Sequence, residues 1–212
     1  CVFCQNAEIS HNNFGVTVTP ARLAEIFKSL QEQGAENINL VNPTHFVHAI
    51  RKAFEIFKPS IPVVYNSSGY ESEETLNIAD EFTDIYLLDL KYLSSDRALK
   101  YSNAQNYPKM AVNAIKRCYK RQENIFNEKG IMQKGLIIRH LIMPQGTNEA
   151  INVINWVEQN TPKAVFSLMS QYTPCGNLEN FPEINRKLTQ REHEKVLSFA
   201  EQSRIDTIFT QE

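Results

Sequence analysis

A chain of 212 residues with 42% hydrophobic and 22% charged residues is long enough to bury a substantial core and suits one compact domain. Its 22 Lys and Arg against 24 Asp and Glu leave a formal net charge of −2, which excludes the global basic field that draws nucleic acid and leaves any anionic ligand to local residues. No run approaches the roughly 18 apolar residues that cross a bilayer, and four cysteines are too few for a disulfide framework at this length, so a cytoplasmic, reducing setting with no membrane partner is expected.

The chain opens on "CVFCQNAEIS", in which Cys1 and Cys4 stand three positions apart. That spacing lets two thiolates converge on a metal, an iron-sulfur cluster or a redox centre. Two sulfurs do not complete a four-ligand site. "TPARLAEIFKSLQEQG" comes next, with Thr19 and Pro20 as cap and first helical residue, Leu23, Ile26, Phe27 and Leu30 on one face, and Gly34 as the stop. "NINLV" reads as a short strand. "THFVHAIRKAFEIF" returns to helical spacing through Phe46, Val47, Ile50, Ala53, Phe54 and Phe57. "IPVVYN" and "DIYLLDLKY" are apolar strands with little alternation, as expected when both faces are covered. "PKMAVNAIKRCYKRQENIF" reads as the longest helix and "GLIIRHLIMP" as a strand ended by Pro144 and Gly146. "NEAINVINWVEQN" is helical, "AVFSLMSQY" a strand, "TQREHEKVLSFAEQSR" a helix with Glu192 at the capping-box position, and "DTIFT" the last strand.

Strands alternating with helices predict an α/β fold with a parallel sheet, either doubly wound or a full or partial βα barrel. In both architectures ligands gather at the carboxyl ends of the strands. Those ends carry Asn42, Pro43 and Thr44; Asn66, Ser67 and Ser68; Asp89 and Lys91; Arg139 and His140; and Gln171 and Tyr172. One rim would thus collect a carboxylate, an ammonium, a guanidinium, an imidazole and several amides.

Each of these has a structural alternative. Asp89 and Lys91 share a strand face and could form an ordinary ion pair. Arg139 is harder to dismiss, because an apolar strand rarely accommodates a guanidinium without a fixed anionic partner. His140 points the other way and reads as a satisfied structural histidine. His45 and His48 permit a metal pair but match a partly exposed helix face better. His11 and His193 read as surface residues, and Cys118 as a buried thiol without chemistry. Cys175, in "QYTPCGN", comes after a strand end and could face the rim.

"CVFCQNAEIS" resembles the second and third cysteines of the Cys-x-x-x-Cys-x-x-Cys motif of radical S-adenosylmethionine enzymes, in the pyruvate formate-lyase activating enzyme-like branch. "NLVNPTHF", "IPVVYNSSGYES", "DIYLLDLKY", "KYSNAQNYP", "GLIIRHLIMP" and "LMSQYTP" are similar, in order, to segments of an uncharacterised iron-sulfur subfamily of that branch. The resemblance implies a partial parallel (β/α)6 barrel over residues 1–212. It also implies a [4Fe-4S] cluster with Cys1 and Cys4 as metal ligands, and S-adenosylmethionine on its open iron. Reductive cleavage would yield a 5′-deoxyadenosyl radical that abstracts hydrogen from a substrate. Phe3 matches the aromatic position near the adenine. Asn42, Thr44, Asn66, Ser67, Asp89, Lys91, Arg139, Gln171 and Tyr172 match cofactor-side positions. Implied partners are an electron donor such as flavodoxin or ferredoxin and, where the activase role applies, a protein substrate, the glycyl radical enzyme to be activated.

Two departures from the family pattern stand out. The leading cysteine and the strand before it are absent, so the expectation is a chain that begins inside the motif, lacks the first barrel strand and by itself holds no intact cluster. The Gly-Gly-Glu type segment after the next strand reads "NPTHF", without glycines or carboxylate. A non-catalytic interaction domain, a zinc module and a lipidated protein remain alternatives, the zinc module weakened by the lack of a second Cys-x-x-Cys.

Overall fold

The computed structural model describes residues 1–7, 9, 14–121 and 123–211. In chain order its elements are α1 (Pro20–Glu32), β1 (Ile38–Val41), a 3-10 turn (Pro43–Phe46), α2 (Val47–Ile56), β2 (Val63–Ser67), α3 (Glu73–Ala79), β3 (Ile85–Asp89) and α4 (Ser95–Ser102). They continue with α5 (Tyr107–Arg121), β4 (Ile125–Phe126), β5 (Met132–Leu141), α6 (Thr147–Asn160), β6 (Val165–Met169), α7 (Gln190–Glu201) and β7 (Thr207–Gln211). The strands run in the order β1-β2-β3-β5-β6-β7, with β4 added antiparallel to β5. Parallel strands alternating with helices are the α/β class that the sequence predicts.

The chain divides into two compact units that exchange segments along the sequence. The first comprises Thr17–Asp89 and Met110–Ile137. Its sheet is β1, β2 and β3 in parallel register, with Leu40 beside Tyr65 and Tyr65 beside Tyr86. Side chains alternate across a strand, so Ile38, Leu40, Val63, Tyr65, Ser67, Tyr86 and Leu88 lie on one face. Asn39, Val41, Val64, Asn66, Ile85, Leu87 and Asp89 lie on the other. The first face is covered by helices: Ile38 packs with Ala24 and Phe27 of α1 and Ala53 of α2, bordered by Leu23, Phe54 and Phe57. Phe27, Phe54 and Phe82 continue this core as a run of ring contacts with centroids 5.1 Å apart.

The second unit comprises Cys1–Val16, Leu90–Lys109 and Ile138–Glu212. Here β6 and β7 pair in parallel from Val165 with Thr207 to Met169 with Gln211, and the Ile142 amide reaches the Met169 carbonyl at 2.8 Å. Buried Ala150, Val153, Ile154 and Val157 of α6 and Val196 and Ala200 of α7 form its helical core. Glu149, buried on α6, accepts from the backbone amides of Leu93 and Ser94 at 2.5 and 2.9 Å, securing the loop that enters α4. At α7 the Thr189 hydroxyl and the Glu192 carboxylate form the reciprocal capping box that the sequence predicts.

Several boundaries differ from expectation for identifiable reasons. The helix expected across 108–126 ends at Arg121, and Ile125–Phe126 turns into β4 against β5, where exposed aromatic and β-branched residues suit an edge. The helix expected from Thr44 starts at Val47, because Asn42 takes a left-handed φ of 52° and Pro43 opens a tighter turn. Phe46 therefore leaves the apolar face and is exposed, as is Leu30 near the end of α1. Helices α3 and α4, of 7 and 8 residues, are too short to show a period; serine caps at Ser72 and Ser94 start them.

Candidate functional site

In the unit built on β1–β3, the carboxyl ends of β1 and β2 are joined by backbone and side chain. The Asn42 amide donates to the Asn66 carbonyl at 2.8 Å, extending the pairing past β1. Thr44 then donates its hydroxyl to Glu71 Oε1 at 2.7 Å, and Tyr65 donates to Oε2 at 3.1 Å. Glu71 is 3% exposed. Burial pushes its carboxyl above the ordinary value, while the hydrogen bonds from Thr44, Ser67 and Tyr65 pull the other way. Burial also raises the Tyr65 phenol, and the neighbouring Glu71 charge adds to it, so Tyr65 stays a donor. Asn66, itself buried, shares its face with Asp89, whereas Ser67 is turned to the helix-covered face, where its Oγ accepts from the Gly69 amide at 3.2 Å. Gly69 has a φ of +76°, and a Cβ there would collide with the Asp89 carbonyl oxygen.

In the other unit, Cys1 and Cys4 lie on one turn and in no disulfide, Cys1 exposed and Cys4 half-buried. Cys1 Sγ lies 3.0 Å from Ser102 Oγ. The turn is held by the Val2 amide, which donates to the Tyr101 carbonyl at 2.9 Å, and by the buried Phe3 ring, tilted 59° against Tyr172 with centroids 5.9 Å apart. Tyr172 anchors itself through its hydroxyl, which donates to the Ile184 carbonyl at 2.8 Å, so it is the ring and not the phenol that meets Phe3. Gln171 beside it is exposed. The Lys91 amide donates to the Tyr107 hydroxyl at 2.9 Å, and the Leu90 amide to the Arg139 carbonyl at 2.9 Å. Arg139 is half-buried in β5.

The structure thus gathers Asn42, Thr44, Asn66, Ser67 and Asp89 at strand ends of one unit, and Cys1, Phe3, Cys4, Lys91, Arg139, Gln171 and Tyr172 in the other. His140 is the satisfied buried histidine that the sequence predicts, with Nδ1 2.7 Å from the Leu90 carbonyl. Cys118 is fully buried and its thiol is pushed up to about 12, chiefly by burial. His45 and His48 are exposed, and among the described residues no group of three or more His, Cys, Asp or Glu is placed to hold a metal ion. His193 is half-buried, with an enclosed Nε2 that has no hydrogen-bond partner. His11 lies outside the described residues.

One residue escapes sequence reading. Glu71 sits in the polar stretch "SSGYES", where an acid ordinarily signals a solvated loop; its proximity to an apolar strand end is the available signal. Cys175, which the sequence places after a strand end, has its Sγ 3.1 Å from the Phe3 carbonyl oxygen, and burial, with the nearby Cys4 adding to it, raises its thiol.

Residues 1–152, well over half of the chain, match the model of the radical SAM superfamily. The uncharacterized protein MJ0674 of Methanocaldococcus jannaschii is 32% identical over 219 residues, covering 99% of this chain and 61% of the relative. The chain therefore spans about six-tenths of the length of that relative. A crystal structure of a domain of pyruvate-formate lyase-activating enzyme from Bacteroides vulgatus matches with a TM-score of 0.52 at 11% identity, over 99% of this chain and 97% of that one. At that identity the likeness speaks to fold, and the fold it shares is the α/β arrangement described above. Among the described residues no helix is long and apolar enough to cross a membrane. The chain belongs to the radical SAM superfamily.

Proposed function

We propose that this protein binds a [4Fe-4S] cluster through Cys1 and Cys4, and S-adenosylmethionine beside it, to abstract hydrogen from a substrate. The observation that carries the reading is the Cys1–Cys4 turn. It presents two cysteines outside any disulfide, one open to solvent and one half-buried, on a backbone tied to Tyr101 and backed by the Phe3–Tyr172 ring pair. Two soft thiolates on one tight turn suit iron-sulfur ligation. They fit part of the cluster's ligand set; a third thiolate completes it. When bound, the cluster supplies the electron that splits the sulfonium of S-adenosylmethionine.

The residues of the chain would bind and orient. Phe3 offers an apolar ring for the adenine, and Arg139 a guanidinium for a carboxylate. Asn42, Thr44, Asn66, Ser67, Asp89, Lys91, Gln171 and Tyr172 are the further cofactor-side positions of this reading, with Ser67 acting through the Gly69 amide and the Glu71 carboxylate rather than from the face of Asn66. A flavodoxin or ferredoxin type electron donor and a cytoplasmic setting belong to the same reading, and activation of a glycyl radical enzyme is its most specific form. A second reading, a non-catalytic interaction domain derived from a radical enzyme, is favoured by the segment Asn42–Phe46, which carries neither the glycines nor the carboxylate of the family pattern.

Anaerobic reconstitution with iron and sulfide of the protein as its gene encodes it separates the two. Expected are a reduced [4Fe-4S] paramagnetic resonance signal and formation of 5′-deoxyadenosine from S-adenosylmethionine, both lost in Cys1→Ala and Cys4→Ala. A protein that takes up no iron, or that keeps its iron in both variants, sinks the reading.

A further inference from the structure

We infer that Cys175 and Gly176 form the seat of the Cys1–Cys4 turn, and that the Cys175 thiol positions Cys4 for metal binding by donating to the Phe3 carbonyl. The inference rests on the reading above that this turn carries an iron-sulfur cluster. Cys175 acts through the backbone and is a positioning residue, not a ligand.

The peptide groups of the turn are committed one by one. The Val2 amide donates to the Tyr101 carbonyl at 2.9 Å. The Val2 carbonyl oxygen lies over Gly176, where a Cβ would come within 2.5 Å of it. Gly176 has a φ of +79°, a conformation that L side chains rarely adopt, so glycine is required there twice over, by backbone conformation and by approach. The Phe3 carbonyl, next along the turn, receives the Cys175 thiol at 3.1 Å. The ring of Phe3 packs on Tyr172, three residues before Cys175, and Tyr172 is fixed to Ile184 by its hydroxyl. One loop after β6 therefore bonds the Phe3 carbonyl, lies close against the Val2 carbonyl and packs on the side chain between the two cysteines. The direction of the following residue, Cys4, is set by that grip.

A thiol-to-carbonyl hydrogen bond is weak, worth at most about 1 kcal/mol, so it adds little to global stability. Its leverage is on orientation. Groups that fix the ligands of a metal from behind typically change metal affinity by about 10–100-fold when removed. Serine keeps a donor at position 175, alanine removes it, and alanine at 176 wedges the loop away from Val2.

The experiment compares wild type, Cys175→Ser, Cys175→Ala and Gly176→Ala in two forms. In the metal-free protein the rate of Cys4 alkylation by iodoacetamide is read by peptide mass spectrometry, with thermal midpoints recorded alongside. In the reconstituted protein, iron affinity is read by competition with a chelator. Expected in Cys175→Ala and Gly176→Ala are faster Cys4 alkylation and an iron affinity lower by about tenfold, with Cys175→Ser recovering most of both and the thermal midpoint of the two Cys175 variants near wild type. Unchanged Cys4 alkylation and iron affinity in Cys175→Ala overturn the inference. So does equal and complete loss of iron in Cys175→Ser and Cys175→Ala, which would make Cys175 a ligand. A wild-type protein that takes up no iron instead sinks the functional reading, and the alkylation arm still decides whether the seat exists.

Discussion

Thr44 donates its hydroxyl to the Glu71 carboxylate at 2.7 Å across 27 positions of sequence. The segment Asn42–Phe46 contains no acid of its own, yet this contact brings one beside the end of β1, and Tyr65 holds its second oxygen at 3.1 Å. A buried carboxylate is therefore present beside the end of β1, contributed by the loop after β2.

Glu71 should mark the pH profile of stability. Burial raises its folded value above the ordinary 4.5, so between the two values the folded chain binds more protons than the unfolded one. Stability accordingly falls as pH rises through that window. In Glu71→Gln this decline should be flattened, so that the variant gains on wild type between mildly acidic and neutral pH. Urea midpoints across that range measure it, and parallel profiles would contradict the assignment.

Gly69→Ala should destabilise the β1–β3 unit. The residue has a φ of +76° and its added Cβ meets the Asp89 carbonyl oxygen. Backbone strain of this kind costs about 1–3 kcal/mol, and the collision adds to it because its partner is main chain. Denaturant unfolding gives the figure; a loss below about 0.5 kcal/mol would mean that the loop relaxes freely.

Glu183 governs the acid side in the other unit. Lys100 at 2.6 Å is the main cause and Tyr101 at 2.8 Å a further one that bring its carboxyl down to about 2. The stability it contributes is complete above its unfolded value of 4.5 and is lost as pH falls toward 2. Glu183→Gln should remove that part of the acid limb, seen as a shallower drop in thermal midpoint between pH 5 and pH 2, with the effect small because Lys100 is half exposed.

Thiol chemistry should separate Cys1 from Cys118. In the native protein Cys1 is exposed, whereas Cys118 is fully buried with its thiol at about 12. Alkylation followed by mass spectrometry should modify Cys1 within minutes and Cys118 after unfolding; native labelling of Cys118 would place α5 outside the core.

Period and punctuation make most of the fold of this protein legible in its sequence. Strands β1, β2, β3, β5, β6 and β7 lie where apolar runs end in polar residues, and Thr19, Pro20 and Thr189 mark helix starts that the structure keeps. Short capped helices are hidden from such a reading, since α3 offers 7 residues and a period needs more. Strand β4 is hidden because its pairing depends on a neighbour ahead in the chain. Ser67 and Asn66 fall together in sequence, yet adjacent strand residues point to opposite faces, and the structure separates them. The Thr44–Glu71 and Phe3–Cys175 contacts span 27 and 172 positions, and no local pattern carries such information.

The grip of Cys175 on the Phe3 carbonyl spans 172 positions, and that of Tyr101 on Val2 about 100. On a ribosome adding about 5–20 residues per second, the turn emerges roughly 10–35 s before the loop that secures it. During that interval its thiols are solvent-facing on an unsettled backbone, open to oxygen and to stray cations. On the functional reading proposed above, any metal loaded before that loop folds would have to bind without the seat, so cluster assembly belongs after the loop has closed on Phe3.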